Sequence, residues 1–384
     1  MTTTQISTIM KAPEVQIMLV SEQAAPNLLA ALDSALKPQK AVLLASSIMQ
    51  NRALSLQKVL QENGIVSQIV PLPDEHNLDI LETTLLEVAV NFEGLSIALN
   101  VTGGNKLMAL AAYSVAQASG WLTFYVDVDT DQIIWLDKNH PAQPLSQDLR
   151  LNHYLRSYGY SLTNGVERPQ PNAAWQKLLS NLVLNVETLS DSIGQLNYIS
   201  QQARHSLICN MTDRQMDSRS LEAVLRNFED ANVLKVKENN VIFQSEAARI
   251  FANGGWIEHH VYQTVCKVTG ALSIRDKAAN LQVQSIDGQP NEIDVAFMAR
   301  NRLFMIECKT ARMDNPEDLK ANDTLYKLAE NCRRIGGLGT RGMLATYRRL
   351  RESELRLAKA LKIEVVAGAN LRRLDEKLKQ WVRP

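Results

Sequence analysis

The chain has 384 residues, which at about 150 residues per domain predicts two or three domains. Apolar residues make up 45% and charged residues 21% of the sequence, which excludes a fibrous, low-complexity or intrinsically disordered protein. The formal net charge is zero, but residues 1–150 hold 8 Lys and Arg against 15 Asp and Glu, whereas residues 341–384 hold 12 against 5. Such a basic C-terminal segment is what phosphate binding requires, although a solvated helix face has the same composition.

The N-terminal sequence has no basic segment before an apolar core and no small-residue cleavage site, so no secretory signal is predicted. The longest unbroken apolar run, Leu107 to Tyr113, is far shorter than the roughly 18 residues of a membrane-spanning helix. The cysteines are scattered without a C-x-x-C pair, so neither a zinc cluster nor a disulfide framework is predicted. We therefore expect a cytoplasmic protein that makes no membrane contact.

The N-terminal part of the chain alternates short β-rich apolar runs with helical patterns. The predicted strands are Val15–Val20, Ala41–Ala45, Ile65–Leu72, Leu95–Val101, Trp121–Asp129 and Gln132–Leu136. The predicted helices between them are Pro26–Leu36, Ile48–Asn63, Leu78–Phe92 and Leu107–Ala118. Because crossovers between parallel strands are right-handed almost without exception, this order predicts an α/β domain with a Rossmann-like parallel sheet and helices on both faces.

The middle of the chain changes pattern after a polar, proline-bearing stretch from Asn164 to Asn172, which indicates a linker. Helical sequence follows from Ala173 to about Arg204. Residues Ser218–Asp230 have the pattern of an amphipathic helix, and Asn232–Phe243 have that of a strand, a turn and a strand. This order is typical of a small, mostly helical, winged-helix-like module.

From Gly254 onward the pattern predicts a C-terminal α/β domain with its own core. Its predicted helices are Trp256–Val268, Leu319–Ile335 and Glu352–Leu361. Its predicted strands are Ala271–Ile274, Leu281–Ile286, Ile293–Met298, Leu303–Lys309, Met343–Ala345 and Ile363–Val366. The chain is therefore divided into a Rossmann-like domain at 1–150, a helical and winged-helix-like region at 151–250, and an α/β domain at 251–384.

The segment Asn291–Thr310 carries charge at positions where alternation with period two expects apolar residues. On the second of its strands, Glu307 and Lys309 share a face that is otherwise apolar. An Arg300-Asn301-Arg302 turn is predicted to fold the preceding strand back antiparallel, which places Asp294 close to Glu307. Two carboxylates then meet beside one ammonium group.

This combination of charges points to metal chemistry. Adjacent carboxylates repel each other unless they are protonated or bridged by a cation, and hard oxygen ligands suit Mg²⁺ or Mn²⁺ rather than zinc. Such an ion polarises a scissile phosphate, while a neighbouring lysine orients the attacking water or neutralises the phosphorane. The pattern predicts metal-dependent phosphodiester hydrolysis, and the alternative is a structural ion pair at a strand edge.

The arrangement resembles the PD-(D/E)xK nuclease superfamily, whose core is a helix followed by a mixed sheet that carries these residues. The resemblance implies a restriction-endonuclease-like fold with Asp294, Glu307 and Lys309 as catalytic residues. It adds Glu258, on the preceding helix, as a further catalytic residue, and it implies that the three carboxylates bind the metal ion. The sequence departs from the superfamily pattern because Ile293, rather than proline, precedes Asp294.

A second candidate site lies at Asn100–Tyr113, where a strand end and a Gly-Gly turn lead into a helix. Backbone N–H groups at such a helix start can face an anion, and Lys106 adds positive charge. The spacing matches neither a P-loop nor a dinucleotide fingerprint, and a capped helix in a tight turn is the alternative. Ser21 and the pair Ser46-Ser47 follow other strands at the same carboxyl-end crevice, so three converging loops favour a nucleotide-like ligand.

Over roughly residues 13–140 the sequence resembles the CRISPR-associated Rossmann fold (CARF) domain, which holds a cyclic oligoadenylate across a dimer twofold. The resemblance implies that the ligand contacts are Thr102, Gly103, Gly104, Asn105, Lys106, Ser21, Ser46 and Ser47. Joined to a PD-(D/E)xK domain, it implies a homodimeric ancillary nuclease of type III CRISPR defence. We expect a cyclic oligoadenylate activator, in particular cyclic tetra-adenylate, a Mn²⁺ or Mg²⁺ cofactor, and DNA or RNA as substrate.

Two other functions remain open at this point. One is a ligand-responsive nucleic-acid-binding regulator, in which the winged-helix-like region contacts DNA and the charged cluster is structural. The other is a restriction or repair nuclease with no signalling ligand. In either nuclease, we expect basic residues of the C-terminal segment to hold substrate phosphates, namely Arg348, Arg349, Arg351, Arg372 and Arg373.

Overall fold

The computed structural model describes residues 11–146, 149–164, 173–310 and 320–383. Within these ranges the strands form three sheets of seven, three and six strands. Among the described helices, none combines the length and the apolar character that crossing a membrane needs. Most of the predicted linker, residues 165–172, lies outside the described residues, as does the predicted helix start at Leu319.

The first sheet is built from the N-terminal elements. Its strands are β1 Val15–Leu19, β2 Lys40–Ser46, β3 Val66–Leu72, β4 Ile97–Asn100, β5 Leu122–Asp127, β6 Gln132–Trp135 and β7 Gln143–Pro144. Its order is β3-β2-β1-β4-β5-β6-β7, parallel from β3 to β5 and antiparallel beyond. The helices that alternate with these strands are α1 Ala25–Leu32, α2 Gln50–Glu62, α3 Leu78–Asn91 and α4 Lys106–Ala118. The predicted Rossmann-like sheet is confirmed.

Alternation along the central strand explains why both faces of this sheet are covered. On β1, Met18 packs with α1 and α2, whereas Ile17 and Leu19 pack with α3 and α4. A strand buried on both faces needs apolar residues at nearly every position, and the sequence VQIML meets this requirement. All five strand residues are buried.

Within the middle region, residues 186–243 have the order of a winged-helix module: a helix, a strand, two helices and a hairpin. Its elements are α5 Leu151–Ser157, β8 Tyr160–Leu162, α6 Ala173–Leu184, α7 Val186–Gln202, β9 Ile208–Asn210, α8 Asp213–Met216, α9 Arg219–Asp230, β10 Leu234–Lys237 and β11 Asn240–Phe243. Strands β9, β10 and β11 form the antiparallel three-stranded sheet. The winged-helix-like prediction for this region is confirmed.

The C-terminal part is an α/β unit built on the six-stranded sheet. Its elements are α10 Glu246–Ile250, a π-helical turn Phe251–Gly255, α11 Trp256–Val268, β12 Asp276–Ser285, β13 Pro290–Ala299, β14 Arg302–Lys309, α12 Lys320–Gly336, β15 Arg341–Thr346, α13 Glu352–Ala360, β16 Ile363–Ala367 and α14 Leu374–Trp381. The sheet order is β16-β15-β14-β13-β12-β8. It is mixed, since β14, β15 and β16 are parallel and the others antiparallel.

Three features of this unit differ from the sequence prediction. The predicted strand Ala271–Ile274 is wrong, because Ser273 has a φ of 50° and this segment forms a turn. Strand β8, which the sequence division places in the middle region, pairs with β12 at the edge of the C-terminal sheet. The last helix, α14, was not predicted; it packs with α11 through Leu374 and Leu378.

The hairpin of β13 and β14 positions the candidate catalytic residues. On β14, Leu303 and Met305 pack in the same cluster as α12, whereas Phe304 and Ile306 pack in the same cluster as α11. Antiparallel pairing aligns Val295 with Ile306. Extending this register by one residue places Asp294 opposite Glu307, as the alternation predicts.

Candidate active site and ligand crevice

The predicted cluster of two carboxylates and a lysine assembles at one end of the β13–β14 hairpin. The Lys309 Nζ lies 2.5 Å from the Glu307 Oε1, and the Cys308 backbone N–H donates to the Asp294 Oδ2 at 2.6 Å. The Glu307 side chain is 15% exposed and the Lys309 side chain is 36% exposed. The cluster is therefore partly desolvated but still reachable by a substrate.

The start of α11 brings Glu258 to the same place, and a glycine makes this approach possible. Gly254 has a φ of 124°, and a Cβ on it would lie only 2.1 Å from the Thr310 Oγ1. Glycine is the residue that tolerates both this conformation and this contact. The helix therefore begins directly against the end of β14, with Glu258 in its first turn.

The carboxylates interact with one another across this small space. Burial, together with the nearby charges of Asp294 and Glu292, raises the pKa of Glu258 to about 8. Burial and the charge of Glu307 together raise the pKa of Asp294 to about 7. Burial lowers the pKa of the Lys309 ammonium group, but Glu307 and Asp294 outweigh it, so the pKa ends above its ordinary value. The four predicted residues thus form one electrostatic unit.

Glu292 is a member of this unit that the sequence analysis missed. It lies on β13 two residues before Asp294, and its charge raises the pKa values of both Glu258 and Asp294. Residues two apart on a strand share a face, so the spacing itself was the signal that could have identified it.

The donor set fits a hard divalent cation. Three carboxylates that repel one another in a desolvated site are the arrangement that Mg²⁺ or Mn²⁺ stabilises. The Lys309 ammonium group forms an ion pair with one oxygen of the Glu307 carboxylate. In the part of the chain that the structure describes, no three His, Cys, Asp or Glu side chains are already close enough together to hold an ion.

These pKa values predict that the metal-free protein loses stability as the pH rises from about 5 to 8. Glu258 and Asp294 are protonated more readily in the folded than in the unfolded chain, so the free energy of unfolding falls as the pH rises through this window. Each pKa unit corresponds to about 1.4 kcal/mol, so the loss amounts to a few kcal/mol. Thermal unfolding in EDTA across this range measures it.

The matched variants for this measurement are Glu258→Gln and, as a control, Glu87→Gln on the exposed side of α3. We expect Glu258→Gln to flatten the pH dependence and to raise the melting temperature at pH 8, whereas the control variant follows the wild type. Identical curves for wild type and Glu258→Gln would show that the pKa of the Glu258 carboxyl group does not change on folding.

A cavity of about 810 Å³ opens at the carboxyl ends of the strands of the first sheet. The predicted ligand residues that line it are Ser21, Ser46, Thr102, Gly104 and Asn105. Ser47 opens a 3₁₀ turn directly after Ser46, and Lys106 is the exposed first residue of α4. The structure thus brings the three predicted loops together around one crevice.

Two adjacent glycines allow the loop from Thr102 to Lys106, termed the ligand loop, to pass close to β1. A Cβ on Gly103 would lie 1.9 Å from the Leu19 carbonyl oxygen, so no other residue fits there without a shift of the backbone. Gly104 follows with a φ of 71°. These glycines therefore fix the path of the loop beside β1.

Hydrogen bonds hold the rest of this loop in place. The Thr102 Oγ1 donates to the Asn100 Oδ1 at 2.6 Å and accepts from the Val126 N–H at 2.7 Å. The Asn105 Oδ1 caps α4 by accepting from the Met108 N–H at 2.9 Å, and its Nδ2 donates to a backbone carbonyl at 3.1 Å. The Thr102 and Asn105 side chains thus shape the crevice.

The crevice also contains residues from outside the first sheet, which the sequence analysis missed. Those from α5 and the C-terminal unit are Tyr154, Tyr158, Asn301, Arg302, Leu338 and Gly339. Gln23 connects the two parts, because its Oε1 accepts from the Leu338 N–H at 3.0 Å and from the Tyr158 hydroxyl at 3.4 Å. The ligand crevice and the C-terminal unit are therefore in direct contact.

The arginines of the C-terminal segment are largely occupied by protein groups. Arg349 forms an ion pair with Glu187, and Arg351 lies 2.5 Å from the buried carboxylate of Glu354. The Arg372 Nε donates to a backbone carbonyl at 3.4 Å. Arg348 is only 9% exposed and lines a cavity of about 420 Å³ that also reaches Thr310. Arg349, Arg351 and Arg372 are thus engaged with protein groups.

Comparison with known proteins gives two family matches and several similar structures. A model of the Card1 CARF domain matches residues 15–154, and a model of the Card1-like endonuclease domain matches residues 245–384. Protein VC1899 from Vibrio cholerae is 25% identical, with a TM-score of 0.88 over 96% of this chain and 97% of that chain. A comparison with curated proteins found no match.

Two further solved structures are similar. Can2 from Sulfobacillus thermosulfidooxidans, determined in complex with cyclic tetra-adenylate, is 25% identical, with a TM-score of 0.82 over 96% of this chain and 99% of that chain. A type III CRISPR defence DNA nuclease activated by cyclic oligoadenylate is 18% identical, with a TM-score of 0.51 over 88% of this chain and 46% of that chain. At this identity the last comparison supports the fold alone.

Proposed function

Because this chain joins a Card1 CARF domain to a Card1-like endonuclease domain, we propose that it is a nuclease of type III CRISPR defence that a cyclic oligoadenylate activates. The observation that carries the proposal is the pairing of two sites in one chain. The Asp294, Glu307 and Lys309 cluster provides hydrolytic chemistry, and the crevice above the first sheet provides a nucleotide-sized site.

We propose cyclic tetra-adenylate as the activator, since the similar Can2 structure contains this ligand. Two copies of the chain would enclose the ring across a twofold axis, each contributing the loop from Thr102 to Lys106. A homodimer is supported by apolar side chains left exposed near this loop. Ile48 at the edge of the crevice is 75% exposed, and Leu110 on the outer face of α4 is 63% exposed. Such residues are typical of a surface that another protein copy covers.

We propose that Glu258, Asp294 and Glu307 hold Mg²⁺ or Mn²⁺. When bound, the ion supplies Lewis-acid activation of the phosphate and a water of lowered pKa. The Cys308 N–H fixes the Asp294 carboxylate, so this ligand is oriented before the metal arrives. The Lys309 ammonium group moves from Glu307 towards the substrate, where it neutralises the charge that develops on the phosphorane.

The cavity beside the end of β14 supports a path for the substrate. Thr310 directly follows the catalytic Lys309 and lines this cavity together with Arg348. The guanidinium group of Arg348 stacks at 5.2 Å from the Tyr347 ring centroid and donates to its hydroxyl at 3.1 Å. A fixed arginine next to the catalytic strand is suited to binding a backbone phosphate of DNA or RNA.

A nucleic-acid-binding regulator is the competing function, and the winged-helix module disfavours it. The exposed residues of α9, its candidate recognition helix, include Arg219, Glu222, Arg226 and Glu229. Arg226 is already paired with Glu222 at 2.6 Å. A recognition helix of mixed charge lacks the excess of positive charge that phosphate binding uses.

Cleavage assays distinguish the two functions. Activated protein is incubated with labelled single-stranded DNA, duplex DNA and RNA in Mn²⁺, in Mg²⁺ and in EDTA. The proposal predicts cut products with either ion and none in EDTA. Stable complexes that leave every substrate intact in the presence of both ions would instead support the regulator.

A further inference from the structure

The ligand crevice has an unexpected charge distribution for an anionic ligand. Four carboxylates line it, namely those of Glu22, Glu75, Asp127 and Asp129. Among the described residues that line the crevice, Arg302 is the one Lys or Arg, and His76 is the other side chain able to carry a positive charge. A ring of phosphates requires cations, and Lys106, at the start of α4, is not among the residues that line the crevice. Arg302 is therefore the strongest source of positive charge in the crevice lining.

Arg302 is held in the crevice by two acceptors in the turn that follows β5. Its Nη2 donates to the Val128 carbonyl oxygen at 3.2 Å and to the carboxylate of Asp129. The Arg302 side chain is only 14% exposed, whereas that of Asp129 is 88% exposed. The guanidinium group is therefore fixed in position, while the carboxylate that neutralises it is free to turn away into solvent.

We propose that Arg302, although it belongs to the endonuclease domain, is a phosphate-binding residue of the activator site and exchanges the Asp129 carboxylate for a phosphate of the cyclic oligoadenylate. This inference rests on the proposed function, in which the crevice binds such a ring. The exchange conserves charge at the guanidinium group, because one anionic oxygen replaces another. Arginine suits this role, since its planar fork presents several donors to a phosphate at once.

The position of Arg302 in the chain gives this contact a consequence. It is the first residue of β14, and Glu307 and Lys309 lie near the other end of the same strand, about 17 Å from Arg302 to Glu307. The preceding Asn301 is only 4% exposed and donates to the Asp131 Oδ1 at 3.0 Å. An activator that binds Arg302 thus contacts the catalytic strand itself, and no intermediate element has to carry the signal.

Calorimetric titration of cyclic tetra-adenylate tests the inference with four variants of the full chain. We expect Arg302→Gln to raise the Kd by about tenfold or more, and Arg302→Lys to raise it less, because the charge is kept. We expect Asp129→Asn to lower the Kd by about threefold, because the phosphate no longer competes with a carboxylate. Arg300→Gln, at an exposed position two residues earlier and outside the crevice, is the matched control and should bind as the wild type does.

Equal Kd values for wild type and Arg302→Gln would overturn the inference and leave the proposed function intact. A wild type that binds no cyclic oligoadenylate would instead contradict the proposed function. Thermal unfolding of each variant establishes that it is folded. If Arg302→Gln does not fold, Asp129→Asn decides alone, and an unchanged or higher Kd for that variant overturns the inference.

Discussion

Replacing Asp294 with Ala, or Glu307 with Ala, is expected to lower the cleavage rate at least about a thousandfold. Each change removes one of the three carboxylates proposed to hold the metal ion. The affinity for cyclic tetra-adenylate should stay within about twofold of the wild type, because the crevice lies at the opposite end of the β13–β14 hairpin. Single-turnover cleavage and calorimetry measure the two quantities separately.

Two further variants make this experiment specific. Glu292→Gln removes a neighbouring carboxylate that the proposal does not assign to the metal, and it should retain most of the activity. Lys309→Ala should lower kcat far more than it changes KM, because the ammonium group acts mainly as phosphorane charge develops. Full cleavage by both Asp294→Ala and Glu307→Ala would refute the assignment of the active site.

Replacing Gly103 with Ala is expected to raise the activator concentration for half-maximal cleavage by at least about thirtyfold. The added Cβ would lie 1.9 Å from the Leu19 carbonyl oxygen, so the ligand loop has to move away from β1. Saturating activator should partly restore cleavage, unlike the loss expected from Asp294→Ala. Asn105→Ala should give a smaller shift, because it removes a helix cap worth about 1 kcal/mol.

The matched control for this prediction is Gly270→Ala. A Cβ on Gly270 has no atom within 4 Å, and this residue lies outside the crevice. The control should respond to the activator as the wild type does. A Gly103→Ala variant with the wild-type activation curve would show that the path of this loop is not important for the ligand.

The parts of the fold that the sequence predicted are those determined by local pattern. Alternation along β14 and a short turn were sufficient to place Asp294 opposite Glu307, because strand periodicity and hairpin geometry leave one register. The three crevice loops were predictable because the carboxyl ends of parallel strands meet at one edge of a sheet. Both inferences require only residues close together in sequence or a general rule of topology.

The parts that the sequence did not predict depend on contacts between distant segments. Arg302 and Asp129 are 173 positions apart, and the hydrophobic pattern of the sequence does not indicate that their side chains are in contact. The same reason applies to β8, which pairs with β12 across the middle region, and to Arg349, whose partner Glu187 lies on α7. The basic composition of the C-terminal segment suggested phosphate binding, but composition does not identify ion-pair partners.

The most direct test of an activator-controlled nuclease is the single-turnover cleavage rate with and without cyclic tetra-adenylate, in saturating Mn²⁺ and with one labelled substrate. The coupling between the crevice and the catalytic strand predicts a rate that is about 10- to 100-fold higher with the activator. Addition of EDTA to the activated sample should stop the reaction. Equal rates with and without the activator would contradict the account, because the crevice would then exert no control over the nuclease.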